Sequence, residues 1–112
     1  MWGVGEIHKI KRMAEILSIA TFVVIPGNEE AALATIRVLM RVLSQRGYSR
    51  DLLYRDAKSS EYVLLRYWKS EEARRTAAED PEVLRCWAEL AQEVKTTKIF
   101  ETLNDAFGGQ PG

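Results

Sequence analysis

Two stretches of this 112-residue chain, EILSIATFVVIP (15–26) and YVLLRYW (62–68), are apolar on both sides when read as extended backbone. β-Branched and aromatic residues dominate the first, and Pro26 with Gly27 stops it. Side chains alternate along a strand. Ile16, Phe22 and Val24 therefore share one side with Ser18 and Ala20, and Leu17, Ile19, Val23 and Ile25 share the other. In the second stretch Tyr62, Leu64, Arg66 and Trp68 lie on one side and Val63, Leu65 and Tyr67 on the other. A strand apolar on both sides is central in its sheet and covered twice. Any fold for this chain has to place both strands inside a sheet and cover both faces of it.

The intervening segments narrow the choice. In GNEEAALATIRVLMRVLSQRG (27–47), Ala32, Ile36, Leu39, Met40 and Leu43 recur at helical spacing. Asn28 stands at the capping position, Glu29 and Glu30 face the positive end of the helix dipole, and Gly47 ends the helix. YSRDLLYRDAKSSEYVLLRYW (48–68) reads as a hairpin with a polar turn at Lys58, Ser59 and Ser60. Its first strand carries Asp51, Arg55 and Asp56 and looks like a sheet edge. Ser70 is expected to cap a short helix from Glu71 to about Glu79, and Asp80 and Pro81 to start another. Val83, Trp87, Leu90, Ala91 and Val94 form the expected buried stripe of that helix. KTTKIFETL (95–103) reads as a last, more polar strand.

The order β, α, β, β, α in two pieces, β predicts an α+β fold, the ferredoxin-like βαββαβ split with an antiparallel four-stranded sheet. Right-handed crossovers put strands one and three in the middle, which are the two strands already found apolar on both sides. The expected domain is 15–103, with a leader at 1–14 and a tail at 104–112. Helices can cover one face of such a sheet. The other face, with Leu17, Ile19, Val23, Val63, Leu65 and Tyr67, predicts a homodimer packed sheet against sheet.

Sixteen basic residues balance sixteen acidic ones and the two signs are interspersed, so neither nucleic acid nor a membrane surface is an expected partner. No window reaches 18 apolar residues and MWGVGEIHKIKRM has no apolar signal-type core, so a cytoplasmic protein is expected. Cys86, the single cysteine, reads as a small buried apolar residue. The one histidine, His8, lies in the leader. Without a cluster of His, Cys and carboxylate residues, no metal site is expected.

YVLLRYWKSEEA (62–73), together with the strand running into PGNEEA (26–31) and the glycine before YSRDLLYRD (48–56), resembles the antibiotic biosynthesis monooxygenase family of the dimeric α/β-barrel superfamily. The resemblance spans 15–103 and is sharpest where Trp68 ends the third strand ahead of Ser-Glu-Glu-Ala. It implies a barrel-like dimer with a pocket in each subunit between sheet and helices. It also implies one of two activities: oxidation of quinols or anthrone-like polyketides by O2 with no cofactor, or haem degradation. Trp68 matches the pocket tryptophan of both groups.

The haem-degrading relatives place an axial histidine where Trp87 stands. They also carry an asparagine seven residues before the glycine ending the first strand, where this chain has Ala20. Indole does not ligate iron and a methyl donates no hydrogen bond. The resemblance therefore implies the oxygenase, acting on a small aromatic or apolar molecule, with Trp68 in its pocket. Arg66, two residues before Trp68 on the same face, is the second expected catalytic residue, and Tyr62, Leu64, Phe22 and Trp87 are the expected pocket lining. The guanidinium would hold an oxyanion, the indole would stack on a ring or donate through its N–H, and Tyr62 would add a hydroxyl. Each has a plainer alternative: Trp68 and Trp87 as core residues, and Arg66 paired with a carboxylate such as Glu101. The alternative for the whole chain is a non-catalytic ligand-binding or structural dimer.

Overall fold

The computed structural model describes residues 16–107. The leader, His8 and the end of the tail lie outside them. The elements are β1 (Ile16–Val24), α1 (Glu29–Gln45), β2 (Ser49–Arg55), β3 (Tyr62–Trp68), α2 (Glu71–Ala77), α3 (Pro81–Glu93) and β4 (Val94–Leu103). The sheet order is β2-β3-β1-β4 with every neighbouring pair antiparallel, so the doubly apolar strands β1 and β3 are central, as expected.

Cross-strand register sorts the side chains into rows. On the helix-facing side Ile16 stands opposite Trp68, Ser18 opposite Arg66, Ala20 opposite Leu64 and Phe22 opposite Tyr62. β2 extends the rows by one residue each: Ser49 beside Trp68, Asp51 beside Arg66, Leu53 beside Leu64 and Arg55 beside Tyr62. α1 covers these rows with buried Ala32, Ile36, Leu39, Val42 and Leu43. Burying side chains of this size stabilises by roughly 1.5–3 kcal/mol each before the cost of ordering them.

Local chemistry sets the helix ends, in one case differently from expectation. At α1 the carbonyl of Asn28 accepts from the Ala32 amide at 2.8 Å, but its side chain makes no capping bond. Its backbone (φ −107°, ψ 12°) is not the extended form that aims a capping side chain, so Glu29 and Glu30 in the first turn are left to offset the dipole. At the other end Gly47 takes φ 72° while the Tyr48 amide reaches back to the Leu43 carbonyl at 2.9 Å. Ser70 Oγ accepts from the Ala73 amide at 3.0 Å, and Asp80 Oδ1 from the Glu82 amide at 2.9 Å, with Pro81 in the first turn of α3.

Asp80 does more than cap. Arg46, just past α1, forms ion pairs with Asp80 and Glu82, and the Tyr48 hydroxyl donates to Asp80 Oδ2 at 2.9 Å. Held by the Arg46 guanidinium above all, and by Tyr48, the Asp80 carboxyl falls to a pKa of about 2.

α3 buries a narrower line than its sequence predicts. Val83 and Cys86 are fully buried, Trp87 and Leu90 half-buried, and Ala91 exposed. The contact line runs through the small Cys86, and the chain leaves the helix at Glu93, so Val94 opens β4 instead of closing the helix. On the sheet's other face Leu17, Ile19, Val23, Val63, Leu65 and Tyr67 are half-buried, while Leu52 and Tyr54 on β2 are 41% and 56% exposed. Among the described residues no helix is long and apolar enough to cross a membrane.

Candidate active site

One row on the helix-facing side of the sheet is polar: Ser18, Arg66 and Asp51, from three adjacent strands. It is flanked by the Trp68 row and the Leu64 row. The Asp51 side chain is 1% exposed and that of Arg66 11%. A charge so placed needs a partner, and these two supply each other. Arg66 Nε donates to Asp51 Oδ2 at 2.9 Å, and Ser49 Oγ donates to Oδ1 at 2.9 Å. Arg66 Nη2 stands 2.8 Å from the same Oδ2, close enough for an ion pair, yet has no aligned hydrogen-bond acceptor. One oxygen cannot lie along both N–H directions at once, so proximity supplies the Coulombic attraction and leaves the Nη2 donors unmet.

The Trp68 ring centroid lies 5.5 Å from the guanidinium carbon of Arg66. Its indole N–H donates to Ser18 Oγ at 3.0 Å, and Ser18 in turn donates to the Glu101 carbonyl at 2.5 Å. The expected free indole N–H is therefore already engaged. The carboxylate facing Arg66 is Asp51, whereas the Glu101 carboxylate is 76% exposed and stands 3.8 Å from Arg74.

Tyr62 stacks on Phe22, with centroids 5.4 Å apart and planes 14° from parallel. Its hydroxyl donates to Glu29, and that bond, with burial, raises its pKa. The phenol is thus kept protonated and serves as a donor, not as a base. Phe22, Tyr62 and Leu64 form one buried cluster with Ile36, and Trp68 another with Leu39, Leu43, Val83 and Cys86, against which Trp87 packs. Burial also pushes the Cys86 thiol up, as suits a packing residue.

Five of the six expected site residues thus share one sheet face around Arg66, and Trp87 reaches the Trp68 cluster from α3. None of the six lines the cleft that Asp51 borders. That cleft, of about 300 Å³, lies between α1 and β2, with Leu33, Ile36, Met40 and Leu53 as walls, Asp51 at its floor and Arg37 at its mouth. Ser18, Asp51 and Glu29 are the site's unforeseen members. Among the described residues no three His, Cys, Asp or Glu side chains are grouped to hold a metal. The residues do not suit haem: Trp87 offers no iron ligand, and the Ala20 methyl faces Leu64.

The family model for antibiotic biosynthesis monooxygenases matches residues 16–94, from the start of β1 to the start of β4. The chain belongs to this family. No curated protein matches the sequence. Solved structures agree with the monooxygenase family's fold. A conserved protein from Methanosarcina mazei Go1 is 14% identical with a TM-score of 0.70, the match covering 83% of this chain and 97% of that one. Rv0793 from Mycobacterium tuberculosis is 21% identical with a TM-score of 0.66, covering 83% and 99%. A variant of SnoaB, a cofactor-independent oxygenase from Streptomyces nogalater, is 19% identical with a TM-score of 0.68, covering 83% and 97%. At such identities the likeness is one of fold, and the chemistry has to be argued from the side chains of this monooxygenase-family chain.

Proposed function

We propose that the protein is a cofactor-independent monooxygenase that oxidises a small aromatic molecule, a quinol or an anthrone-like compound, with O2. The observation that carries the reading is the buried Arg66 Nη2, which lacks an aligned acceptor beside the Trp68 ring. Buried donors are rarely left unpaired without a reason, and an oxyanion on a ring stacked near Trp68 would supply the acceptor.

The chemistry asks little else of the protein. A phenolic substrate that loses its proton becomes an electron-rich anion able to react with O2 directly. An anthrone methylene then becomes a carbonyl as one oxygen atom enters the ring carbon and the other leaves as water. The guanidinium favours the anion, and the closed apolar surroundings keep its charge unscreened. With Tyr62 held protonated, water takes the proton.

Oxygen uptake over a panel of quinols and anthrones tests this. The wild type should consume one O2 per anthrone. Arg66→Lys, which keeps the charge and loses the planar fork, should lose on the order of a hundredfold in rate. No uptake by folded wild type overturns the proposal in favour of a non-catalytic ligand-binding or structural module. That second reading has its own support, since Trp68 is 4% exposed and Tyr62 6%, and their polar atoms are engaged within the protein.

In either case the working form proposed is a homodimer, closed face to face over Leu17, Ile19, Val23, Val63, Leu65 and Tyr67 into a barrel. A free, buried Cys86 suits the cytoplasm. Light scattering should give twice the 12.8 kDa of one chain, and a concentration-independent 12.8 kDa would refute the dimer.

A further inference from the structure

The Trp68 and Tyr62 clusters are closed, so a ligand needs a way in. The cleft between α1 and β2 shares its walls with the Phe22–Tyr62–Leu64 cluster: Ile36 belongs to that cluster, and Leu33, Met40 and Leu53 pack against it. Asp51, the partner of Arg66, forms part of its floor. The cleft therefore reaches the polar row from the side opposite Trp68. At about 300 Å³ it suits a two- or three-ring aromatic molecule.

The mouth has a defined charge. Arg37 is exposed and, among the described residues, has neither a hydrogen bond nor an ion pair. Arg41, one helical turn on, is also exposed and adds charge of the same sign. The nearest cleft carboxylate, Asp51, is neutralised by Arg66. An apolar slot under an unopposed guanidinium matches a ligand with a flat ring and an anionic group at its outer end.

One wall can move. Met40 is unbranched, with a flexible thioether that shifts at little cost, whereas the β-branched Ile36 beside it is stiff. We infer that the α1–β2 cleft binds a planar aromatic acid, its carboxylate on Arg37 and its rings between Met40 and Leu53, and that Met40 is the gate from the cleft to the buried aromatic cluster. This deepens the proposed function, because the ligand seated here would be the molecule oxidised, but the binding step can be read without turnover.

Isothermal titration of the full chain with anthraquinone-2-carboxylate and its neutral carboxamide, neither of which is oxidised, tests the inference. The carboxylate should bind about five- to tenfold tighter than the carboxamide, with the difference shrinking as salt rises. Arg37→Gln, on an exposed helix face, should fold normally and remove that difference. Met40→Trp should fill the slot and abolish binding of both, while Met40→Leu, which conserves volume and guards against misfolding, should retain it with slower association. Equal binding of the two probes, no binding of either, or a preference that survives Arg37→Gln overturns the inference. Binding without oxygen uptake in the substrate panel would leave the cleft standing and refute the monooxygenase; uptake with an anthrone carboxylic acid that is indifferent to Arg37→Gln would do the reverse.

Discussion

Removing the Asp51 carboxylate should strand the Arg66 guanidinium inside the protein. With Arg66 11% exposed and the charges 2.8 Å apart, the gross attraction at an effective dielectric of about 20 is roughly 6 kcal/mol. Much of that only offsets the cost of taking both ions out of water. The net worth of the pair is therefore small, but the penalty for breaking it is not: Asp51→Ala should destabilise by about 3–5 kcal/mol. For a domain of this size that lowers the melting temperature by more than about 12 °C. The double variant Asp51→Leu/Arg66→Met, which replaces both ions by apolar groups of similar volume, should recover most of the loss. Urea denaturation followed by tryptophan fluorescence measures all three. A loss below about 1 kcal/mol in Asp51→Ala would refute the argument, because it would mean that the guanidinium turns out to solvent and is not held in the row. If the double variant is as stable as wild type, stability cannot be what the pair is for, and a chemical role for Arg66 gains support.

Three further outcomes follow from the geometry. Asp80 has a folded-state pKa of about 2 against 3.8 ordinarily, so its contribution is full above about pH 4 and is lost as pH falls towards 2; acid unfolding of Asp80→Asn should lose that pH-dependent component when followed by circular dichroism. Gly47→Ala should cost about 1 kcal/mol by thermal melting, since an added Cβ meets no neighbour within 4 Å and the whole penalty is the φ of 72°. Cys86, 1% exposed with its thiol pKa raised by burial, should resist a disulfide-exchange reagent at pH 8 until the protein unfolds, and prompt reaction would show that α3 opens locally.

The sheet order was legible because it rests on a coarse physical fact. β1 and β3 are apolar on both sides, and only the centre of a sheet tolerates that. The sides assigned to Phe22, Tyr62, Leu64, Arg66 and Trp68 followed from alternation alone. The partner of Arg66 was harder, because it depends on register across a hairpin. A turn centred on Lys58 and Ser59 pairs Arg55 with Tyr62 and so, four residues back along each strand, Asp51 with Arg66. The signal was present, but it is only as good as the placing of the turn, since a slip of one residue moves Asp51 to the other face. Ser18 as the acceptor for Trp68 was readable in the same way, from β1–β3 register. The cleft was not, since it depends on how closely α1 approaches β2, which sequence periodicity does not report. The exposure of Ala91 on α3 was hidden for the same reason, whereas the burial of Cys86 was read from its chemistry.

The sheet's outer strands bear on a different hazard. β4 exposes all but its two end residues, Ile99 and Phe100 among them, and an edge of that kind invites other chains to extend the sheet indefinitely. It also carries Lys95 and Lys98, while the opposite edge, β2, carries Arg50 and Arg55. An edge-to-edge union of β4 with another copy's β2 would bring four cations together against one exposed carboxylate, Glu101, and β2 with β2 would bring four together against none exposed within the strands. An excess of cations on both borders thus discourages ribbon growth, and leaves the broad apolar face as the surface on which the proposed pairing of copies would close.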